Sequence, residues 1–359
     1  MAIKSGAVAA PRVRFMDDVV RAGWRMTAPG KLTWFEEPLG PPPPGRVTVE
    51  VVGCGICHTD LGYLFDGVAP AHKGALVLGH EIIGRIPGRG LVLVPAVSPC
   101  GECLACRRGR STSCAAGLMP GNHHDGGFAT HVQVPERWLT PVPDVAEPWQ
   151  LAAIADAVTT PLQAIRRTRL AAGDVAIVIG AGGVGGFLVE LAVALGAVVV
   201  AVDVAAARLA RARAHGAVLA IDGRELDARG ARKEVAKRLA ATARDVPDAG
   251  WHVFECSGTA TGQTVAFGLL TRGGKLAVVG FTADAVPLRL SNLMALDAEA
   301  YGNWGSEPAL YGEALDLVLA GKVDVASAVA RYPLRDAPEV LERVRRHELD
   351  HRPVLVPDV

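Results

Sequence analysis

No sign of charge dominates the chain. Its 359 residues carry 37 Lys and Arg against 37 Asp and Glu, so the formal net charge is zero. Nothing draws nucleic acid or an anionic membrane to it as a whole, and no basic arm or acidic tail stands out. A local cluster could still hold a small anion, which net charge does not reveal. Long uncharged apolar runs are also missing, and none is long enough for a membrane-spanning helix. The N-terminal MAIKSGAVAAPRVRFMDD has a short apolar run that stops at Pro11, too short for a signal-peptide core. The expectation is a cytoplasmic protein with neither membrane nor nucleic-acid partners. Internal repeats are absent. The one low-complexity block, GPPPPG at 40–45, reads as a stiff surface linker.

Half of the chain is hydrophobic, enough to bury a large core. Its length exceeds the roughly 250–300 residues at which single cores tend to split, so two domains are expected. The first third is rich in Gly and Pro and reads as strands and turns, with RVTVEVV (46–52) and FATHVQV (128–134) alternating as strands do. Helical pattern begins near 148–167. From Asp174 the character changes to short Val/Ile/Ala runs at 175–180, 197–203, 217–221, 251–256 and 275–280. Helical stretches near 184–195, 205–214, 231–243 and 260–270 separate them. Strand and helix in alternation, with near-continuous apolar strands, predict a parallel sheet covered on both faces. The tail, 301–359, returns to mixed pattern with helices near 307–320 and 338–347.

VIGAGGVGGF carries Gly180, Gly182 and Gly185 as G-x-G-x-x-G directly after a strand and opening a helix. The first glycine makes a tight turn, the second lets backbone approach a pyrophosphate, and the third lets helix pack on strand. The helix N-terminus then offers free N–H groups and positive dipole to phosphates. Asp203, about 20 residues on, ends the next strand, where a carboxylate would hold a ribose 2′-hydroxyl and repel a 2′-phosphate. NAD is therefore expected over NADP, a preference that nearby Arg208 tempers.

Seven cysteines in a chain read as cytoplasmic point to metal or catalysis before disulfides. Cys100, Cys103, Cys106 and Cys114 form a C-x₂-C-x₂-C-x₇-C set, suited to a closed, structural tetrahedral zinc. An iron–sulfur cluster is the rival, though its bacterial spacing places Pro after the fourth Cys, where this chain has Ala115. CGICH at 54–58 spells a haem-attachment pattern, yet such attachment ordinarily follows export. A dispersed set, Cys57, His80 with Glu81, and Asp156, offers thiolate, imidazole and carboxylate for a catalytic zinc with an open position. Cys54, between two glycines at a strand end, is expected to be a small buried packing residue.

GCGICHTD, GHE, the four-cysteine loop and GAGGVGG occur in the order and spacing of the zinc-dependent medium-chain alcohol dehydrogenases, and over essentially the whole chain the sequence resembles that family. The resemblance implies an α/β protein: a GroES-like, β-rich catalytic domain from residues 1–155 and 301–359, with an NAD-binding Rossmann domain at 156–300 between them. It implies one catalytic and one structural zinc per subunit, NAD, an alcohol or ketone substrate, and a homodimer or homotetramer. Cys57 and His80 match the first two catalytic ligands. Asp156 stands where many members have a third cysteine, giving a harder, more anionic site. Glu81 matches a glutamate that can approach the metal, and Asp60 a carboxylate that orients the zinc-bound histidine. Thr59 matches the hydroxyl that takes the alcohol proton. The histidine that continues this relay in several members is replaced here by Gly62.

His58 and Arg352 match positions that reach the cofactor pyrophosphate, and Arg208 one near the adenosine ribose. Gly183 and Val184 in the loop, with Cys256 and Val279 near the ends of two of the predicted strands, complete the implied cofactor contacts. A narrower resemblance, in CGICHTDLGYLFDGV, MPGN with GGF, ADAVTTPLQA, FECSGT and GNWG, is to members acting on a cyclic allylic alcohol carried as a CoA thioester. His72 and Lys73, or the Arg pairs at 107–108 and 166–167, are candidates for CoA phosphates, a solvated basic face being the alternative for each. Three other readings stay open: the same class acting on simple alcohols or aldehydes, the zinc-free reductases of this fold, and a non-catalytic binding protein on the same scaffold.

Overall fold

Two large sheets, beside a small antiparallel one of Lys31–Pro38, Val20–Ala28 and Leu76–Val77, organise the chain, described over residues 19–242 and 246–358 by a computed structural model. The N-terminal run read above for a leader lies outside the described residues. One sheet has six parallel strands. In spatial order they are Leu219–Asp222, Val198–Asp203, Val175–Ile179, His252–Glu255, Lys275–Val278 and Glu299–Gly302. The chain starts at the middle, winds outward to one side, then returns and winds to the other. That reversal lies between Val175–Ile179 and His252–Glu255, and ligands of such sheets bind at the carboxyl ends beside it. VAIVI and VVVAVD are buried at every position, the pattern of strands covered on both faces. The covering helices Gly183–Ala194, Ala206–Ala214, Ala231–Ala240 and Ala260–Gly268 fall where the periodicity puts them. The sixth strand, EAYG, was not anticipated: it is short, polar and mostly exposed because it forms the sheet edge.

The other sheet gathers Arg46–Gly55, Glu81–Ile86, Gly90–Val94, His131–Pro135 and Thr140–Val142 with two strands of the tail, Val329–Pro333 and Arg352–Val356. Val354 and Leu355 pair with Gly55 and Cys54, so the tail closes this sheet beside the CGICH segment. FATHVQV forms ladder only from His131 on. The proline block at 40–45 is mostly exposed and outside both sheets, as a linker should be. Cys54 is fully buried, as expected of a packing residue.

The helical pattern at 148–167 departs from a single helix. Pro148–Ala155 is 3₁₀, the chain breaks at Asp156 (φ −142°, ψ −53°), and an α-helix runs Thr159–Thr168. Pro161 has no N–H to give to a preceding carbonyl, so a new first turn must start just ahead of it. The break leaves Asp156 on a bend between two buried segments.

His252, on the fourth strand of the parallel sheet, is buried with Nε2 3.4 Å from Asp174 Oδ2. Burial, assisted by Lys275, depresses its pKa to about 4 despite Asp174. The unfolded chain, with an ordinary value of about 6.5, binds a proton that the folded chain excludes. Stability is therefore complete above about pH 6.5 and is lost as pH falls toward 4. Urea midpoints measured from pH 7 to 5 at fixed zinc should show this acid limb, and His252→Gln should flatten it. An unchanged slope in that variant would refute the assignment.

Candidate metal and cofactor site

The tetracysteine loop has little secondary structure of its own: one turn at Leu104–Arg107 and one at Ser111–Ser113. Its sulfurs nevertheless converge, with Cys103 and Cys106 Sγ 3.5 Å apart, Cys103 and Cys114 3.8 Å, and Cys100 and Cys106 3.9 Å. A tetrahedron with metal–sulfur bonds of about 2.3 Å has edges of about 3.8 Å. A disulfide needs about 2.05 Å, and all the cysteines are free. An iron–sulfur cluster between the thiolates would hold them farther apart, so the set fits a single tetrahedral ion. Backbone N–H groups of Glu102 and Cys103 lower the Cys100 pKa to about 6, favouring the thiolate.

Cys57 ends the segment leading from Arg46–Gly55, His80 precedes Glu81–Ile86, and Asp156 sits at the helix break. Their ligand atoms and a Glu81 oxygen all lie within 4.8 Å of one another. His80 Nε2 is 3.6 Å and Cys57 Sγ 3.9 Å from Asp156 Oδ2. Thr160 Oγ1 donates to Asp156 Oδ1 at 2.5 Å, which turns the other oxygen into the pocket. Asp60 accepts the N–H groups of Cys57 (2.9 Å) and Gly79 (3.1 Å), while its Oδ1 faces His80 Nδ1 at 3.6 Å. Burial alone would depress the His80 pKa, but Asp60 and Asp156 outweigh it and hold it well above the ordinary value. The pocket thus favours a cation at its centre, and its sulfur, nitrogen and oxygen donors suit zinc. Thr59 Oγ1 lies 3.7 Å from Cys57 Sγ, at the rim.

Glu81 is wholly buried, and neither carboxylate oxygen has a hydrogen bond. Burial raises its pKa to about 7, with Arg352 opposing from 3.2 Å. Arg352 also donates to Ile56 O and stands beside the glycine loop, its Nη2 3.3 Å from where a Gly183 Cβ would lie. Metal pocket and nucleotide loop therefore share one guanidinium.

Each loop glycine has its own reason. Gly180 turns at φ +88°, and a Cβ there would lie 2.6 Å from Ser257 N. A Cβ at Gly185 would lie 1.8 Å from Gly180 O. Gly182 and Gly183 instead face Arg208 and Arg352, open to an anion, and no side chain caps the helix. Asp203 accepts Ala181 N and Ala205 N, both at 2.8 Å, with Arg208 3.6 Å away. Val184 is half-buried beside this opening, and Cys256 and Val279 follow the carboxyl ends of two adjacent-sheet strands. Gly185→Val should destabilise the protein by about 1–3 kcal/mol, the cost of overpacking. A melting temperature equal to wild type would contradict the clash.

Two contacts had no sequence signal. The buried Tyr311 hydroxyl donates to Ala155 O and accepts Ala96 N at 2.8 Å, linking the segment before Asp156 to the bend between Gly90–Val94 and the cysteine loop. His347 stacks on His58. Thr160 was readable in principle, because it lies one helical turn after Asp156.

Two family models match: an alcohol dehydrogenase GroES-like domain over residues 43–144 and a zinc-binding dehydrogenase over residues 183–320. The chain is 30% identical over 308 residues to L-threonine 3-dehydrogenase of Streptomyces coelicolor, covering 81% of this chain and 86% of the relative. It is 29% identical over 325 residues to an alcohol dehydrogenase of Geobacillus stearothermophilus, covering 87% and 91%. The crystal structure of AibC superimposes with a TM-score of 0.85 at 27% identity, covering 99% of this chain and all of that one. The chain belongs to the zinc-type medium-chain alcohol dehydrogenase family, the zinc-containing, NAD-dependent oxidoreductases.

Proposed function

We propose that the protein oxidises a secondary cyclic allylic alcohol carried as a CoA thioester, as 6-hydroxycyclohex-1-ene-1-carbonyl-CoA dehydrogenase does. The observation that carries the oxidoreductase part is the shared cleft, in which Arg352 touches both the Cys57–His80–Asp156 pocket and the glycine loop. When bound, zinc supplies Lewis-acid polarisation of the alcohol oxygen and NAD accepts the hydride. Cys57, His80 and Asp156 hold the metal, with Asp60 keeping the His80 ring in place. Thr59 takes the alcohol proton. Gly62 leaves no side chain to pass it onward, so this chain offers the proton only water or another base.

Phe281 and Trp304 are 73% and 52% exposed just beyond the carboxyl ends of the fifth and sixth parallel strands. Exposed aromatic surface there supports an apolar ring as substrate. Arg166 is paired with Glu313, and Arg167 bonds Gly302 O and stacks on Tyr301, so neither is available for CoA phosphates. Arg107 and Arg108 are exposed with no acidic partner within 4 Å among the described residues, as are His72 and Lys73. They remain the candidates. The rival is oxidation of simple alcohols or polyols, favoured by the names of several relatives, which include a sorbitol dehydrogenase of Bacillus subtilis. NADH formation from the CoA thioester compared with free cyclohexenol separates the two. A higher kcat/KM for the free alcohol would sink the CoA reading.

The same proposal includes a homo-oligomer. Glu299–Gly302 is an edge strand, with exposed Met294 on the helix Ser291–Leu296 before it and exposed Leu290 at that helix's N-cap. An uncovered strand edge beside apolar side chains supports pairing with a second copy. A monomer mass by light scattering at micromolar concentration would count against it.

A further inference from the structure

The helix Ala337–Arg345 ends in a left-handed turn. His347 N donates to Val344 O and Glu348 N to Arg343 O, both at 3.0 Å, with His347 at φ +55°. Glycine is the usual residue at that position, because it takes a left-handed conformation without steric cost. Arg169 and Asp297 take the same left-handed conformation at two other helix ends, so what sets His347 apart is where its side chain lies. Its imidazole lies over that of His58, ring centroids 6.4 Å apart and planes 26° apart.

His58 directly follows Cys57, and Ile56, one residue earlier, gives its carbonyl to Arg352. Arg352 and Arg208 face Gly183 and Gly182 from either side of the glycine loop. Four donor side chains from three stretches of the chain thus gather around one opening lined by free helix N–H groups. Each arginine has one carboxylate at 3.2–3.6 Å, Glu81 for Arg352 and Asp203 for Arg208.

We propose that His347 is a cofactor-positioning residue: its imidazole, set by the left-handed turn and stacked on His58, forms the outer wall of the slot for the cofactor diphosphate. The inference rests on the glycine loop being the NAD site and is independent of the substrate. His347 acts on cofactor affinity and leaves the chemical step alone, since it touches none of the metal-pocket residues.

The test uses the zinc-loaded enzyme and its His347→Gly and His347→Asn variants. NADH affinity is titrated by fluorescence, and KM for NAD, kcat and melting temperature are measured alongside. His347→Gly should weaken NADH binding and raise KM for NAD roughly ten-fold, the scale of one hydrogen bond to a charged group. Its kcat should stay within about two-fold, again far below that hydrogen-bond scale. Its melting temperature should stay equal or rise, because glycine relaxes the turn. His347→Asn, which tolerates the turn and keeps a donor, should fall between. If His347→Gly binds NADH as wild type does, whatever its melting temperature, His347 is only a helix cap and the inference is wrong. A wild-type enzyme that binds no NADH would instead overturn the cofactor reading on which it rests.

Discussion

Asp156→Ala should reduce zinc from two ions per subunit to one and lower kcat by more than about 100-fold, since residues that merely orient metal ligands already cost 10–100-fold. The physical ground is the division of labour within one carboxylate. Thr160 holds Oδ1, and Oδ2 faces both His80 and Cys57. Among the described residues the fourth possible ligand of this group is Glu81, which Arg352 engages. Asp156→Cys should retain both ions, because a thiolate on the same bend is also a zinc ligand. The tetracysteine ion serves as an internal standard in the metal analysis. An alanine variant with two zinc ions and undiminished turnover would remove Asp156 from the site.

Cys103→Ser should act on stability rather than chemistry. The loop from Pro99 to Gly117 is irregular and has almost no core, so its order depends on the four sulfurs and a few anchors such as the Trp138 Nε1 bond to Pro99 O. Structural zinc in such segments supplies folding free energy directly. The variant should lose one zinc, melt several degrees lower, as a destabilisation of a few kcal/mol implies for a chain of this size, and become sensitive to trypsin at Arg107, Arg108 and Arg110. Wild type with a strong chelator should reproduce the pattern. Resistance to trypsin after loss of that zinc would mean the loop stands by itself.

Much of this was legible in the sequence for physical reasons. Strands buried on both faces must be continuously apolar, and glycines under steric compulsion cannot be disguised, so Val175–Ile179 and Gly180–Gly185 could be found by pattern. The tetracysteine set was legible because four ligands within 15 residues leave few alternatives. Other features were hidden. The strand Glu299–Gly302 has an edge strand's polar sequence, and its pairing depends on a neighbour that no local pattern encodes. Asp156 read as one position in a helix, whereas Pro161 shifts the helix start and puts it on a bend. Tyr311 and His347 act across more than 150 and nearly 300 residues, distances at which composition and period carry no signal.

That same long reach bears on how the molecule is made. The parallel sheet comes from one unbroken stretch, 175–302, and its strands can pair as they leave the ribosome. The sheet carrying the metal pocket cannot: Gly55 and Cys54 wait for Val354 and Leu355, and Arg352 arrives with them to face Glu81. Until then a buried carboxylate and an open strand edge stand uncovered. Pairings this distant are slow to form and expose the chain to aggregation meanwhile. The nascent protein should therefore acquire its cofactor fold early and its catalytic pocket last, and its vulnerable interval ends only with the final strand.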